Sequence, residues 1–304
     1  MQGWRKRMED AHITDISQGN TKQLHIFGVF DGHGGKEVSQ FVKNHFTEEF
    51  LSNKNIESNI ETALKETFLK MDELLRTTKG QNELKELLKK SKIEDDEQDR
   101  KSGTKTNSRM EMFSKLLKQK DENEIALGTG CTACVCVIDE KNKKIYFANA
   151  GDSRVVLCKN GTAFPMSIDH KPELESEKNR IYKADGWISE GRVKGNLNLC
   201  RGFGDLEYKS NTKLKPEEQM ITADPEIKVE TITSECEFII VGCDGIWDCL
   251  TNQEACDYVK QRREKNSLRE ILEEMLDSIC ATDIYNESGV GCDNMTCLII
   301  EFKK

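Results

Sequence analysis

Three apolar runs of strand length each stop at an acidic residue beside a glycine, and this recurrence constrains the chain more than any other feature. Leu24 to Phe30 is followed by Asp31-Gly32-His33-Gly34-Gly35, Phe238 to Cys243 by Asp244-Gly245, and Ile145 to Ala150 by Gly151-Asp152-Ser153-Arg154. A short apolar run bounded by turn residues reads as a buried strand, and glycine permits the tight turns that come next. A further carboxylate, Asp293, precedes the strand expected over Asn294 to Phe302, and Glu9-Asp10 lies near the start. Acidic residues at several strand ends, with few bases beside them, describe an oxygen-donor site that suits Mg²⁺ or Mn²⁺.

The elements between these runs follow from periodicity and turn chemistry. Val38, Phe41, Val42 and Phe46 repeat at helical spacing, as do Ile56, Ile60, Ala63, Leu64, Phe68, Met71 and Leu75. Gly130 to Ile138 and Lys144 to Ala150 read as paired strands around a polar turn. Gly128-Thr129-Gly130 lacks the Gly-Lys-Ser/Thr ending of a phosphate loop and reads as a turn. Asn160-Gly161 between two apolar runs predicts a hairpin, because Asn-Gly suits a type I′ turn. A helical stretch is expected over Glu173 to Ala184. Thr251 to Glu254 and Ser267 to Glu270 fit capping boxes opening two further helices.

About residues 77–125 the character changes to Lys, Glu, Asp, Asn and Ser. This stretch reads as a polar insertion with short helices near Leu84–Leu88 and Met112–Leu117 and a mobile remainder. Strands outnumber βαβ crossovers and hairpins are frequent. The expected fold class is therefore α+β, with antiparallel sheets and segregated helices, in one domain over 1–304.

Composition excludes some function classes. A formal net charge of −9 argues against nonspecific binding to nucleic acid or a membrane surface. No apolar run approaches the ~20 residues that a membrane span needs, and no leader is visible, so a cytoplasmic or nuclear setting is expected. The 12 cysteines then read as reduced core thiols, including Cys200, Cys243 and Cys292, which directly precede Arg201, Asp244 and Asp293.

Met-Gln-Gly-Trp-Arg-x-x-Met-Glu-Asp-Ala-His at Met1 to His12, Asp-Gly-His-Gly-Gly at Asp31, Gly-Asp-Ser-Arg at Gly151, Asp-Gly-Ile-Trp-Asp at Asp244 and Asp-Asn-Met-Thr at Asp293 stand in the order of the metal-dependent protein phosphatases, type 2C. Gly191-Arg192-Val193 to Leu197, and Arg201-Gly202-Phe203-Gly204-Asp205, extend the resemblance over almost the whole chain. The resemblance implies a central sandwich of two antiparallel sheets with helices on both outer faces, a four-layer αββα fold with the site at one end. It also implies a strand ahead of Met1, so that one sheet edge is expected to be incomplete, and a surface flap between Asp169 and Asn196.

The implied activity is hydrolysis of phosphoserine and phosphothreonine in proteins by a metal-activated water, without a covalent phosphoenzyme. The implied cofactors are two Mg²⁺ or Mn²⁺ ions, with a weaker third site. Asp31 would bridge the two ions, Asp244 and Asp293 would bind the first, and Glu9 and the Gly32 carbonyl would serve the second. Asp152 with Asp244 would form the third site. Arg5 would hold phosphate oxygens and His33 would protonate the leaving group. Asp10, Asn294, Thr132 and Arg201 would support the site, and His12 and His170 are expected to be structural or supporting. Phosphoprotein substrates and a monomer are expected. The alternatives are a catalytically inactive binding module on the same fold and a two-metal phosphodiesterase.

Overall fold

The computed structural model describes residues 1–16, 23–102, 125–283 and 289–303, with side chains from 95 to 102 left aside. A five-stranded antiparallel sheet has the order β1 (Ala11–Asp15), β2 (Leu24–Phe30), β5 (Ala133–Asp139), β6 (Lys144–Ala150), β12 (Glu226–Thr231). A four-stranded sheet has the order β14 (Cys297–Glu301), β13 (Cys236–Gly242), β7 (Arg154–Lys159), β8 (Thr162–Pro165). The central strands are apolar throughout because both faces are buried. Along β5, Ala133, Val135 and Val137 face one core, while Cys134, Cys136 and Ile138 face the other.

The first core is closed by α1 (Glu37–Leu51), α2 (Ile60–Arg76) and Leu84, with Phe46, Phe50, Phe68 and Met71 fully buried. The second core runs between the sheets and on to α6 (Asn252–Arg262) and α7 (Leu268–Ile279), through Ala255, Cys256, Val259 and Ile271. These are the antiparallel sheets with segregated helices that the frequent hairpins predict, in the sandwich that the resemblance implies. Thr251 and Ser267 form the expected capping boxes. Asn160 and Gly161 take φ of 48° and 79° in the β7–β8 turn, as a type I′ turn requires. No helix among the described residues is long and apolar enough to cross a membrane.

Two expectations are corrected. Residues near Leu84 do not form a short helix in a mobile stretch; Thr78–Ser102 is one helix, α3. Leu84 is fully buried, Glu83 takes a 2.7 Å contact from His45 Nε2, and Lys36 pairs with Glu94. Polar composition misled because a long helix needs only one apolar stripe to dock. The helix expected near Met112 to Leu117 lies outside the described residues. The strand expected over Gly130 to Ile138 is split: only Ala133–Asp139 pairs with Lys144–Ala150, while β4 (Gly130–Cys131) is the middle strand of a small sheet with β3 (Gly32–His33) and β11 (Phe203–Gly204). The start of the chain runs beside the approach to β14, where Met1 and Met295 exchange hydrogen bonds of 2.7 and 2.8 Å.

A smaller apolar cluster of Ile181, Val193, Cys200, Tyr208, Met220 and Ile221 supports α4 (Glu175–Lys183) and the hairpin β9 (Ile188–Ser189) to β10 (Arg192–Val193). Arg192 and residues 196–199 of this segment form one wall of the main cleft.

Candidate active site

The sandwich brings strand ends from both sheets to one place. Asp31 follows β2 of the first sheet, and Asp244 opens a single helical turn, α5 (Asp244–Trp247), directly after β13 of the second. Asp152 lies in the turn from β6 to β7, where the chain crosses between sheets. Together with Glu9 and Asp293 they line a cleft of about 580 Å³. Thr132 fixes the Asp31 backbone from both sides: its N–H donates to the Asp31 carbonyl at 2.9 Å, and its hydroxyl accepts the Asp31 N–H at 3.2 Å. A side chain on Gly32 would place its Cβ 2.2 Å from the Glu9 carbonyl oxygen, so glycine lets these two segments touch.

Asn294 ties the two chain ends together beneath the cleft. It accepts from the Glu9 N–H at 2.8 Å and donates to the Gln2 and Arg7 carbonyls at 2.8 and 2.9 Å. Asp10 is buried; one oxygen accepts from the Thr296 hydroxyl at 2.7 Å, and Oδ1 has no protein partner.

The electrostatics of this floor are those of crowded anions. Burial, then the charges of Asp10, Asp244, Asp152 and Asp293, push the Asp31 carboxyl well above its ordinary range. Burial, then Asp152, Asp293 and Asp248, push Asp244 up to about 7. Burial is also the main cause that raises Glu9 and Asp10. Among the described residues, no group of three His, Cys, Asp or Glu side chains is already spread as a ligand set. Instead, the Asp31 carboxyl crowds against those of Asp10 and Asp244. The donor set nevertheless fits hard cations: all-oxygen, strongly anionic, with an unpartnered buried carboxylate oxygen. Mutual repulsion of buried like charges is relieved by a counter-cation or by protons.

Two protein cations already meet this acid set. Arg5 Nη2 donates to Asp293 Oδ2 at 2.6 Å from an exposed position on the rim, and Lys171 pairs with buried Asp152. Burial works to lower the Lys171 pKa, but Asp152 raises it overall.

His33 joins the cleft through the small sheet. Strands β3 and β11 flank Gly130, and Asp205, just past β11, reaches across to place Oδ2 2.7 Å from His33 Nε2. A Cβ at Gly130 would stand 2.2 Å from that same oxygen, so the absent side chain makes the path. Asp205 holds a φ of 48°, a left-handed conformation uncommon outside glycine. Burial works to lower the His33 pKa, but the charge and hydrogen bond of Asp205 prevail and raise it. His33 Nδ1 is buried without a protein partner.

Arg201 is not brought to the cleft. Its guanidinium grips buried Glu177 of α4, with the shortest contact at 2.6 Å, and the Asp224 carbonyl at 3.0 Å. His170 is buried against Gly151, whose N–H points at Nδ1 from 3.2 Å. Three residues escaped the sequence reading. Asp205 and Asp248 stood inside the motifs but were not singled out, and Lys171 carried no signal at all.

The family described as Protein phosphatase 2C matches residues 1–89 and 77–287. The chain is 46% identical over 312 residues to "Probable protein phosphatase 2C 3" of Paramecium tetraurelia, covering all of this chain and 91% of that one. It is 44% identical to "Protein phosphatase 2C 1" of the same organism, again over the whole chain and 91% of the relative. This chain belongs to the protein phosphatase 2C family. A crystal structure of a phosphatase from Toxoplasma gondii has a similar fold, with a TM-score of 0.70 at 22% identity, covering 99% of this chain and 90% of that one. Membership agrees with the α+β sandwich.

Proposed function

We propose that this chain is a metal-dependent protein serine/threonine phosphatase that hydrolyses phosphoserine and phosphothreonine with water as the nucleophile. The observation that carries this reading is the meeting of Glu9, Asp31, Asp152, Asp244 and Asp293 in one cleft with Arg5 and His33. Asp31, Asp244 and Asp293, with Glu9 and the Gly32 carbonyl, would hold two Mg²⁺ or Mn²⁺ ions, and Asp152 with Asp244 a weaker third. Such ions, when bound, shield the phosphate dianion and acidify water.

The protein's own groups do the rest. Arg5, exposed on the rim, can turn from Asp293 to a phosphate oxygen, where a guanidinium donates two parallel hydrogen bonds. His33 gives the leaving alkoxide a proton from Nδ1, while Asp205 holds Nε2 and sets the ring. The cleft is lined by no cysteine among the described residues. Its one lining hydroxyl among those residues, Thr132, is bound to Ser153 Oγ at 2.7 Å and to the Asp31 N–H, which supports direct attack by water without a phosphoenzyme.

The full acid set argues against an inactive module, and the net charge of −9 against a polyanionic diester substrate. Hydrolysis of a phosphoserine peptide, abolished by EDTA and restored by Mn²⁺ or Mg²⁺, tests the proposal. Turnover that is indifferent to chelation overturns it.

A further inference from the structure

Outside the cleft, three half-buried thiols stand on segments that meet: Cys249 after α5, Cys280 at the end of α7, and Cys292 beside Asp293. The Cys249 sulfur lies 3.4 Å from the Gly245 carbonyl oxygen and 3.9 Å from that of Ile279, one peptide unit from Cys280. The Gly291 N–H also faces this sulfur. The Ala281 N–H donates to the Gly291 carbonyl at 3.0 Å, which stitches these two segments together over Cys249. Cys249 also opens onto a separate surface groove of about 470 Å³ between Arg154 and Glu254.

The nine other cysteines do not share this setting: Cys297, also half-buried, stands on β14, and the rest are less reachable. Cys131, Cys134, Cys136, Cys158, Cys200, Cys236, Cys243 and Cys256 are buried. Cys158 and Cys256 also meet, but without a solvent-exposed face. Cys292 is anchored, because its carbonyl accepts the Trp4 N–H at 2.9 Å and packs close against Gly3. Among the described residues, the Cys280 carbonyl has no such anchor.

We propose that Cys249 and Cys280 form a peroxide-sensitive dithiol whose oxidation to a disulfide restrains the turn that carries Asp244. The effect on turnover rests on the function proposed above; the cross-link does not. Burial holds the Cys249 thiol above its ordinary range, which slows its own attack on peroxide. The Cys280 sulfur attacks hydrogen peroxide: an S–O bond forms, the O–O bond breaks, and one water leaves after protonation, giving a sulfenic acid. The Cys249 sulfur, as thiolate, then attacks that sulfur: the S–S bond forms, the S–O bond breaks, and a second water leaves. Two thiols are oxidised and one peroxide is reduced to two waters.

A disulfide fixes its sulfurs and Cβ atoms in a narrow geometry. Cys249 must then give up its contact with Gly245, the residue next to Asp244. The Gly245 backbone sits tightly, since a Cβ there would lie 2.1 Å from the Asn294 carbonyl oxygen. A shift of this turn therefore disturbs Asp244 and the Asp293-Asn294 segment together.

The test is peroxide treatment of the full chain, followed by non-reducing peptide mapping and turnover on a phosphoserine peptide. The expected result is a Cys249–Cys280 cross-linked peptide and a loss of most turnover, both reversed by dithiothreitol and both absent in Cys280→Ser and Cys280→Ala. A cross-link through Cys292 instead, oxidation without any cross-link, or an unchanged loss in the Cys280 variants overturns the proposal. A cross-link that leaves turnover intact overturns the restraint on Asp244. If untreated protein shows no phosphatase activity, the proposed function fails while the cross-link still reports on the thiol pair.

Discussion

At the scale of single residues, roles divide between groups that hold charge and groups that move a proton. Asp31→Asn or Asp244→Asn removes a formal charge from the acid floor with little change in shape. Each is expected to cut turnover by orders of magnitude at saturating Mn²⁺ while circular dichroism stays native; near-normal turnover in either variant would remove that residue from the ligand set. His33 serves the leaving group, where general acid catalysis contributes about 10²–10⁴-fold. His33→Ala should therefore slow phosphoserine hydrolysis much more than p-nitrophenyl phosphate hydrolysis, because nitrophenolate leaves without a proton. Asp205 raises the His33 pKa, so the acid stays loaded above the usual histidine range and activity falls as pH rises through the raised value. Asp205→Asn should move that basic limb to lower pH. A limb that stays in place in Asp205→Asn, or equal losses on both substrates in His33→Ala, would reassign the pair to positioning the loop.

At the scale of elements, α3 changes what the polar stretch can be. Leu84 is fully buried against the α1–α2 core, and Glu83 and Glu94 tie the helix to His45 and Lys36. Truncating a buried leucine costs about 2–5 kcal/mol, so Leu84→Ala should lower the denaturation midpoint measurably. Replacing 79–123 with a Gly-Ser linker should destabilise the fold for the same reason, although no side chain of the stretch lines the cleft among the described residues. Unchanged midpoints in both variants would mark α3 as an ornament on the core. The small sheet of β3, β4 and β11 is the other element that decides function, since it alone carries Asp205 to His33.

At the scale of the whole molecule, stability and catalysis share the acid floor. Asp31 and Asp244 have raised pKa values in the folded chain, so the metal-free protein binds protons more tightly than the unfolded chain does. Their contribution is fully present below the unfolded carboxylate pKa and is lost as pH rises through the folded values, about 7 for Asp244. In EDTA, the melting temperature should therefore fall between pH 5 and pH 8 by more than it does in Asp244→Asn. Mn²⁺ should reverse the fall, because a ligand that binds only the native state stabilises it by mass action, about 2.7 kcal/mol at 100 times Kd. A melting temperature insensitive to Mn²⁺ at pH 8 would count against cation binding here. The sequence alone determined the buried strands, because their apolar runs are local and continuous. It determined the carboxylates at their ends, and the hairpin at Asn160-Gly161 and the caps at Thr251 and Ser267, because each rests on neighbouring residues. Only the tertiary structure decided that Asp205 reaches His33, that Lys171 holds Asp152, that Arg201 serves Glu177 rather than the cleft, and that α3 docks. Those pairings join distant parts of the chain, or depend on how a helix stripe meets a core, and neither local propensity nor periodicity records which distant surface a side chain will face.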